Sequence, residues 1–429
     1  MRTRLTTTFQ SLGVRNYRIF AAGHLAKLLG VWMMYIAQDW LVLELSGDSA
    51  IALGIVLACQ FTPVLLLTLL SGRLADRYDK RVLLFAANAA YFVLTLAVSV
   101  LTLAGATRLW HVFVYAAAMG VANAVETPAR QAFVSELVGT TLLPNALALS
   151  AATFNTARIV GPAVAGVAIA ALDVGPVFAM CAVLALAALV SLVRIRGAEL
   201  HRAALPPRPE RDAARITDGL RYVRGRPDLL LPIGLMAVAG AVLFNFQLTL
   251  AALAKTVFQT GAASFGLFTT ALAVGSLGGA LASGTRRSRP SVFVVLGAAI
   301  GAGAFATLVG LTTTYWLVAL LLVPTGYFLI LFAQAANQRL QLGVEPAYRG
   351  RVMSLWVLVF LGTNPIAAPV VGWVAQTHGA GAAIWIGGLI TLLTAGGLLV
   401  WRLRRAGQRL RLRRRPTPWL YVAPSAGSS

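Results

Sequence analysis

Five residues can do acid–base or ion-pair chemistry away from water: Asp39, Glu126, Arg158, His24 and Lys27, all within or at the ends of long apolar runs. An ionisable side chain inside a bilayer costs several kcal/mol unless it is paired or faces water, so each is first a functional candidate. Arg158 lies about 13 residues into its run, near the membrane midplane at about 1.5 Å per residue. Asp39, with Gln38 beside it, falls in the outer third of the first run, and His24 and Lys27 in the inner third. An Asp39–Arg158 pair would let proton uptake by the acid release the base, a coupling switch. Plainer roles fit the same residues: Asp39 at the outer interface, His24 in helix packing, Lys27 snorkelling to the inner surface. Glu126 reads equally as part of a gate or as the ion-pair partner of Arg130. No nucleophile–base pair or metal-ligand cluster falls at depth. The four His are scattered, the acids other than Asp39 lie at or near loops, and Cys59 and Cys181 have neutral apolar neighbours. Neither an enzyme nor a metal or organic cofactor is expected.

The elements that must position these residues are membrane helices. At 58% hydrophobic and 12% charged residues, the 429-residue chain is far more apolar than a soluble domain. A bilayer core needs about 20 apolar residues per helix. Twelve such runs are present, near 17–45, 50–71, 82–104, 109–129, 145–172, 175–194, 229–254, 263–284, 291–312, 314–336, 352–375 and 381–402. With the N-terminus inside, 32 of the 36 Lys and Arg fall on inner segments. Orientation therefore accounts for the net charge of +22, and no nucleic-acid partner is expected. The chain divides into a six-helix half (1–194), a central linker (195–228) with four Pro and eight Arg, a second half (229–402) and a basic tail (403–429). A shift of 207 residues aligns Gly72 with Gly279, Leu74 with Leu281, Gln131 with Gln338 and Pro162 with Pro369, the pattern of a duplicated transporter. Asp76 and Arg158 have no charged counterpart, falling on Ser283 and Pro365.

Residues 212–224 have helical apolar spacing among Arg, which fits a helix on the inner leaflet or a solvated linker helix. A surface helix is expected from Trp401 to Arg415, drawn to anionic inner-leaflet lipid. The second half has no acid or base deep in its helices. Its polar groups Asn245, Gln247, Gln334 and Asn364, with Trp356 and Phe360, are expected to form a large aromatic-lined substrate surface with Gln38 and Asn155 of the first half.

Between the second and third runs stands Gly72-Arg-Leu-Ala-Asp76-Arg77-Tyr-Asp79-Lys80-Arg81, which resembles motif A of the major facilitator superfamily, with Asp79 where a Gly is usual. Asp tolerates a left-handed backbone, so the turn is expected to survive. The resemblance implies that Asp76 pairs with basic groups, here Arg77 or Arg130, and faces the start of the eleventh helix as an inner gate. Ala157 to Gly166, with Gly161, Pro162 and Gly166, resembles the antiporter motif C, with Ala165 replacing one Gly. Together with Glu126 to Leu137 and the Arg15–Arg18 entry, it is similar to the branch of enterobactin exporters and macrolide-efflux proteins.

The fold class expected is an all-α membrane protein, twelve transmembrane helices in two pseudo-symmetric halves. The function expected is proton-driven export of an amphipathic drug-like compound or siderophore by a monomer in the inner membrane, both termini cytoplasmic. An importer or facilitator of the same fold, or a non-transporting sensor or scaffold, is the alternative.

Overall fold

The computed structural model describes residues 9–201, 216–284, 288–405, 408–413 and 419–424, with the side chains of residues 68, 69, 73, 76, 216–219, 346, 347 and everything from 405 onward left outside. Helices dominate because a backbone polar group in lipid must be satisfied within its own segment. The first half consists of α1 (Arg15–Ser46), α2 (Ala50–Arg77), α3 (Lys80–Leu103), α4 (Leu109–Leu172) and α5 (Val174–Arg194). A linker helix α6 (Ile216–Arg224) follows. The second half consists of α7 (Pro227–Val242), α8 (Phe246–Ala252), a π turn at Leu253–Val257, α9 (Ala262–Gly284), α10 (Val292–Leu311), α11 (Tyr315–Gly343), α12 (Pro346–His378) and α13 (Ala380–Arg405).

Eleven of the described helical segments are long and apolar enough to cross a membrane. α4 is one of them, yet its 64 residues would measure about 96 Å as a straight helix, against a bilayer core of about 30 Å. It turns back at Gly139, whose φ of 67° and ψ of 179° are non-helical, into limbs 109–138 and 140–172. The described residues thus supply the twelve spans expected, α7, α8 and the π turn together forming the seventh.

Within the first half α1 packs on α4 and α5, and α3 on the same two; in the second, α10 packs on α11 and α13, and α9 on α11. The halves meet where α2 packs against α12 and α4 against α9. The linker 195–226 marks one end of the bundle, here called the linker face; the other is the distal face.

Three local expectations change. Asp79 is not left-handed: at φ −60° and ψ 120° it is the N-cap of α3, its carboxylate accepting from the Arg81 amide at 2.8 Å. The described part of the linker helix packs on the protein rather than standing free in solvent. Val223 is fully buried and Tyr222 stacks on Tyr348 at 4.2 Å, so its apolar face docks on α12. The surface helix expected from Trp401 ends at Arg405; β1 (Gln408–Arg413) then pairs antiparallel with β2 (Trp419–Pro424). Residues 409–413 alternate Arg and Leu, and 419–422 include Trp, Tyr and Val, patterns better suited to a strand.

Candidate functional site

The first cluster lies between α1 and the first limb of α4. Glu126 Oε1 is 3.1 Å from Lys27 Nζ, and both side chains are more than nine-tenths buried. Arg130, one helical turn beyond Glu126, places its Nε 3.2 Å from the same oxygen. His24, one turn before Lys27, is also buried and stacks on Phe20 at 5.7 Å. Lys27 therefore does not snorkel, and Arg130 belongs to Glu126. Glu126 thus faces two cations, Lys27 as well as the Arg130 expected, and breaking either contact alone would leave a charge buried without its partner. A cavity of about 30 Å³, enough for a water molecule, adjoins the pair and is lined by Tyr35, Gln60, Tyr91 and Asn123.

The second cluster closes the distal face. Asp39, fully buried, accepts a hydrogen bond at 2.8 Å from Gln247 Nε2 in the short helix α8 of the other half. Gln38 donates to Gln60 at 3.3 Å. The Ala50 amide donates to Gln376 Oε1 at 2.7 Å, and Lys255 stands 4.6 Å from the Trp40 ring centre and 4.0 Å from Asp48. Small residues let the backbones approach. A Cβ on Gly54 would press on the Ala368 carbonyl, one on Gly372 on Ala50, and one on Gly166 on the Ala262 carbonyl. Of the motif C residues, Gly166 and Pro162 thus face α9 across the halves, whereas Gly161 packs on Trp32 and Leu29 of α1.

Arg158 occupies the centre. The expected pair with Asp39 is not formed: Gln247 holds the acid, and Arg158 donates to Ser276 Oγ of α9 at 3.3 Å with its guanidinium 5.7 Å from the Trp32 ring centre. Asp39 sits near the distal end of α1 and Arg158 near the middle of the second limb of α4, and that offset in height separates them. One residue on, the Ile159 carbonyl accepts from Thr270 Oγ1 at 3.2 Å, a second bridge between the halves.

The cavity candidates divide. The seventh span is broken at 243–245, near mid-membrane, where Phe244 meets Phe360 edge-on at 5.5 Å. Trp356 stacks on Phe360 but is only 5% exposed and belongs to the second-half core. Asn155 donates to the Ala151 carbonyl one turn back in its own helix, and Asn245, in the break of the seventh span, donates to the Ala241 carbonyl of α7. Gln334 is exposed, and Asn364 Oδ1 is buried without a partner among the described residues.

At the linker face, among the described residues, every ion pair stays within one half. Lys80 pairs with Glu136 at 3.1 Å, Arg81 donates to the Leu192 and Val193 carbonyls, Arg289 pairs with Asp228 at 2.8 Å and Arg226 with Glu345 at 3.2 Å. Gly72 and Arg77 lie in the last turns of α2. The Asp76 side chain, on which the gate expectation rests, lies outside the described residues. Among the described residues, polar bridges tie the halves together at the distal face, through Ala50–Gln376 and Asp39–Gln247, and in the middle, through Arg158–Ser276 and Thr270–Ile159.

Two six-span halves joined through α2–α12 and α4–α9, with buried charges lining their seam and no catalytic constellation among the described residues, define a membrane transporter of the major facilitator type. The chain belongs to the transmembrane secretion effector family of that superfamily, whose profile matches residues 6–418. It is 30% identical over 268 residues to the staphyloferrin A transporter of Staphylococcus aureus, covering 61% of this chain and 64% of that one. It is 27% identical over 383 residues to the multidrug efflux pump Tap of Mycolicibacterium fortuitum, covering 84% and 89%. An uncharacterized transporter of Bacillus subtilis matches at 27% over 51% of each chain, so the chain spans about half to two thirds of two of these curated relatives. Among solved structures, a POT family transporter in complex with a thioalcohol-conjugated peptide superposes with a TM-score of 0.72 at 11% identity, over 91% of this chain and 96% of that one. A bacterial homologue of the lysosomal transporter Spinster, inward-facing and unoccupied, gives 0.61 at 13% identity over 89% and 95%. These two likenesses concern the fold alone.

Proposed function

We propose that this protein is a proton-coupled exporter of an amphipathic small molecule, drug-like or a siderophore, working by alternating access. The observation that carries the reading is the asymmetry of buried charge. Lys27, Glu126, Asp39 and Arg158 are all in first-half spans, and among the described residues the middle of the second-half spans holds none. Titratable groups concentrated in one half, beside the seam along which the halves must move, let protonation of that half bias the seam that also holds the substrate. The distal latch through Asp39 and Gln247 would open as the linker face closes, with motif A at the linker end of α2 serving as the inner gate. The outward direction is supported by the family description and by the relative named as an efflux pump. The linker face is assigned to the cytoplasm because Lys and Arg concentrate there. We place the protein as a monomer in the inner membrane.

Inverted membrane vesicles loaded by an imposed pH gradient test this directly. Uptake from a panel of amphipathic compounds should require an acid interior and should be lost in Glu126→Gln and Asp39→Asn. Uptake that is equal with and without the gradient would remove proton coupling, and uptake only into right-side-out vesicles would reverse the direction.

A further inference from the structure

We propose that Arg158 is the anchor for a negatively charged group on the transported molecule, so that the substrate class is an amphipathic organic anion with a flat apolar body. The inference rests on the transport reading above and adds the chemistry of the cargo.

A guanidinium offers five N–H donors and stays charged. Among the described residues Arg158 spends one donor on a neutral hydroxyl and meets no carboxylate. Ser276 Oγ itself donates to the Leu272 carbonyl at 2.8 Å, which leaves it an acceptor for Arg158 but adds no negative charge. The acids buried within the first-half spans are already engaged, Glu126 by Lys27 and Arg130 and Asp39 by Gln247. The seam between the halves therefore carries a net positive charge near its middle, at the height where a transporter of this plan exposes its site to either face in turn.

A second observation points the same way. Trp32, the ring beside Arg158, has an Nε1–H that is shielded from solvent and has no acceptor among the described residues. Two unsatisfied kinds of donor, one charged and one neutral, thus sit in one place, and a carboxylate or similar oxyanion supplies the missing acceptors for such groups. Trp32 also packs edge-on to Tyr35 at 5.6 Å and to Phe154 at 5.7 Å, giving aromatic surface for the apolar part of the same molecule.

A matched pair of probes separates the charge from the apolar body: pyrene-1-butyrate, ionised at neutral pH, and its methyl ester. Binding to the full chain in detergent micelles is read by tryptophan quenching through energy transfer to pyrene. The acid is expected to bind about tenfold more tightly than the ester, a difference of about 1.4 kcal/mol. Arg158→Gln should bring the acid to the ester's affinity while leaving the ester where it was, and Arg158→Lys, which keeps the charge, should retain a preference for the acid. An arginine that merely ties α4 to α9 would change neither ratio. Equal affinity of the wild type for the two probes, or no saturable binding of either, overturns the proposal without need of a variant. Acid preference in Arg158→Gln overturns it as well. Acid preference without gradient-driven uptake would defeat the export reading and leave the anion site standing; gradient-driven uptake with equal binding would do the reverse.

Discussion

Replacing Glu126 with glutamine strands two cations. Lys27 Nζ at 3.1 Å and Arg130 Nε at 3.2 Å both lose the one carboxylate they face, and Lys27 is only 8% exposed, so bulk solvent does not replace it. Breaking a buried pair by removing one partner costs about 3–5 kcal/mol, most of it the desolvated charge left behind. The reverse change, Lys27→Met, is expected to cost less, because Glu126 keeps Arg130 one turn away and the methionine chain fills the space of the lysine stem. The double variant Lys27→Met/Glu126→Gln should recover much of the loss of the single Glu126 change, since only the less buried Arg130 is then unpaired. Chemical-denaturant unfolding of the purified protein in one fixed detergent, with all four members of the cycle measured side by side, gives the coupling. A value of at least about 2 kcal/mol is expected; below about 0.5 kcal/mol, the range of exposed pairs, the pair is not a buried ion pair and the cluster loses its claim to a coupling role.

Two further outcomes follow from the seam and the fold. Gly266→Ala would set a Cβ against the Pro162 carbonyl, a backbone atom that cannot swing aside, and Gln247→Leu would leave the buried Asp39 without its donor, about 1.5–3 kcal/mol for a hydrogen bond to a charged group. Both should lengthen the distance between spin labels at Ala106→Cys and Thr313→Cys on the distal face of the two halves; unchanged distances would show that these contacts do not hold that face shut. Gly139→Ala places a side chain in a backbone region that essentially only Gly adopts, and its Cβ would lie 3.3 Å from the His201 ring. A loss of about 1–3 kcal/mol in unfolding free energy is expected, and a neutral change would mean that the turn between the fourth and fifth spans relaxes freely.

The relation between α4 and its sequence shows how far local reading reaches. The twelve runs were legible because hydropathy over about 20 residues is a property of each segment alone. The same reading left residues 130–144 as a gap between two spans; they are helical on both sides of a single non-helical residue, Gly139, which composition does not distinguish from the 39 other glycines. Motif A was legible by type and spacing, and Lys80 and Arg81 find partners within the first half, but the role of Asp79 changed from a left-handed turn to a cap. The Lys27–Glu126 pair went unseen although both residues had been placed toward the linker face of their spans. Equal depth was the available signal, and it was outweighed by the nearer candidates Arg130 for Glu126 and the membrane surface for Lys27.

By itself the sequence determined what each segment is: its length across a bilayer and the small set of charges that lipid would not tolerate unpaired. Those are sums over neighbouring residues and need no partner. Which charge meets which was decided only by the tertiary structure. A side chain's direction turns through a full circle every 3.6 residues, and its height depends on how each helix is seated against its neighbours. Asp39 and Arg158 are 119 positions apart on helices of one half, yet the first meets Gln247 and the second Ser276, both from the other half. The seam that leaves Arg158 without an acid exists only once the halves have closed on each other at the distal face.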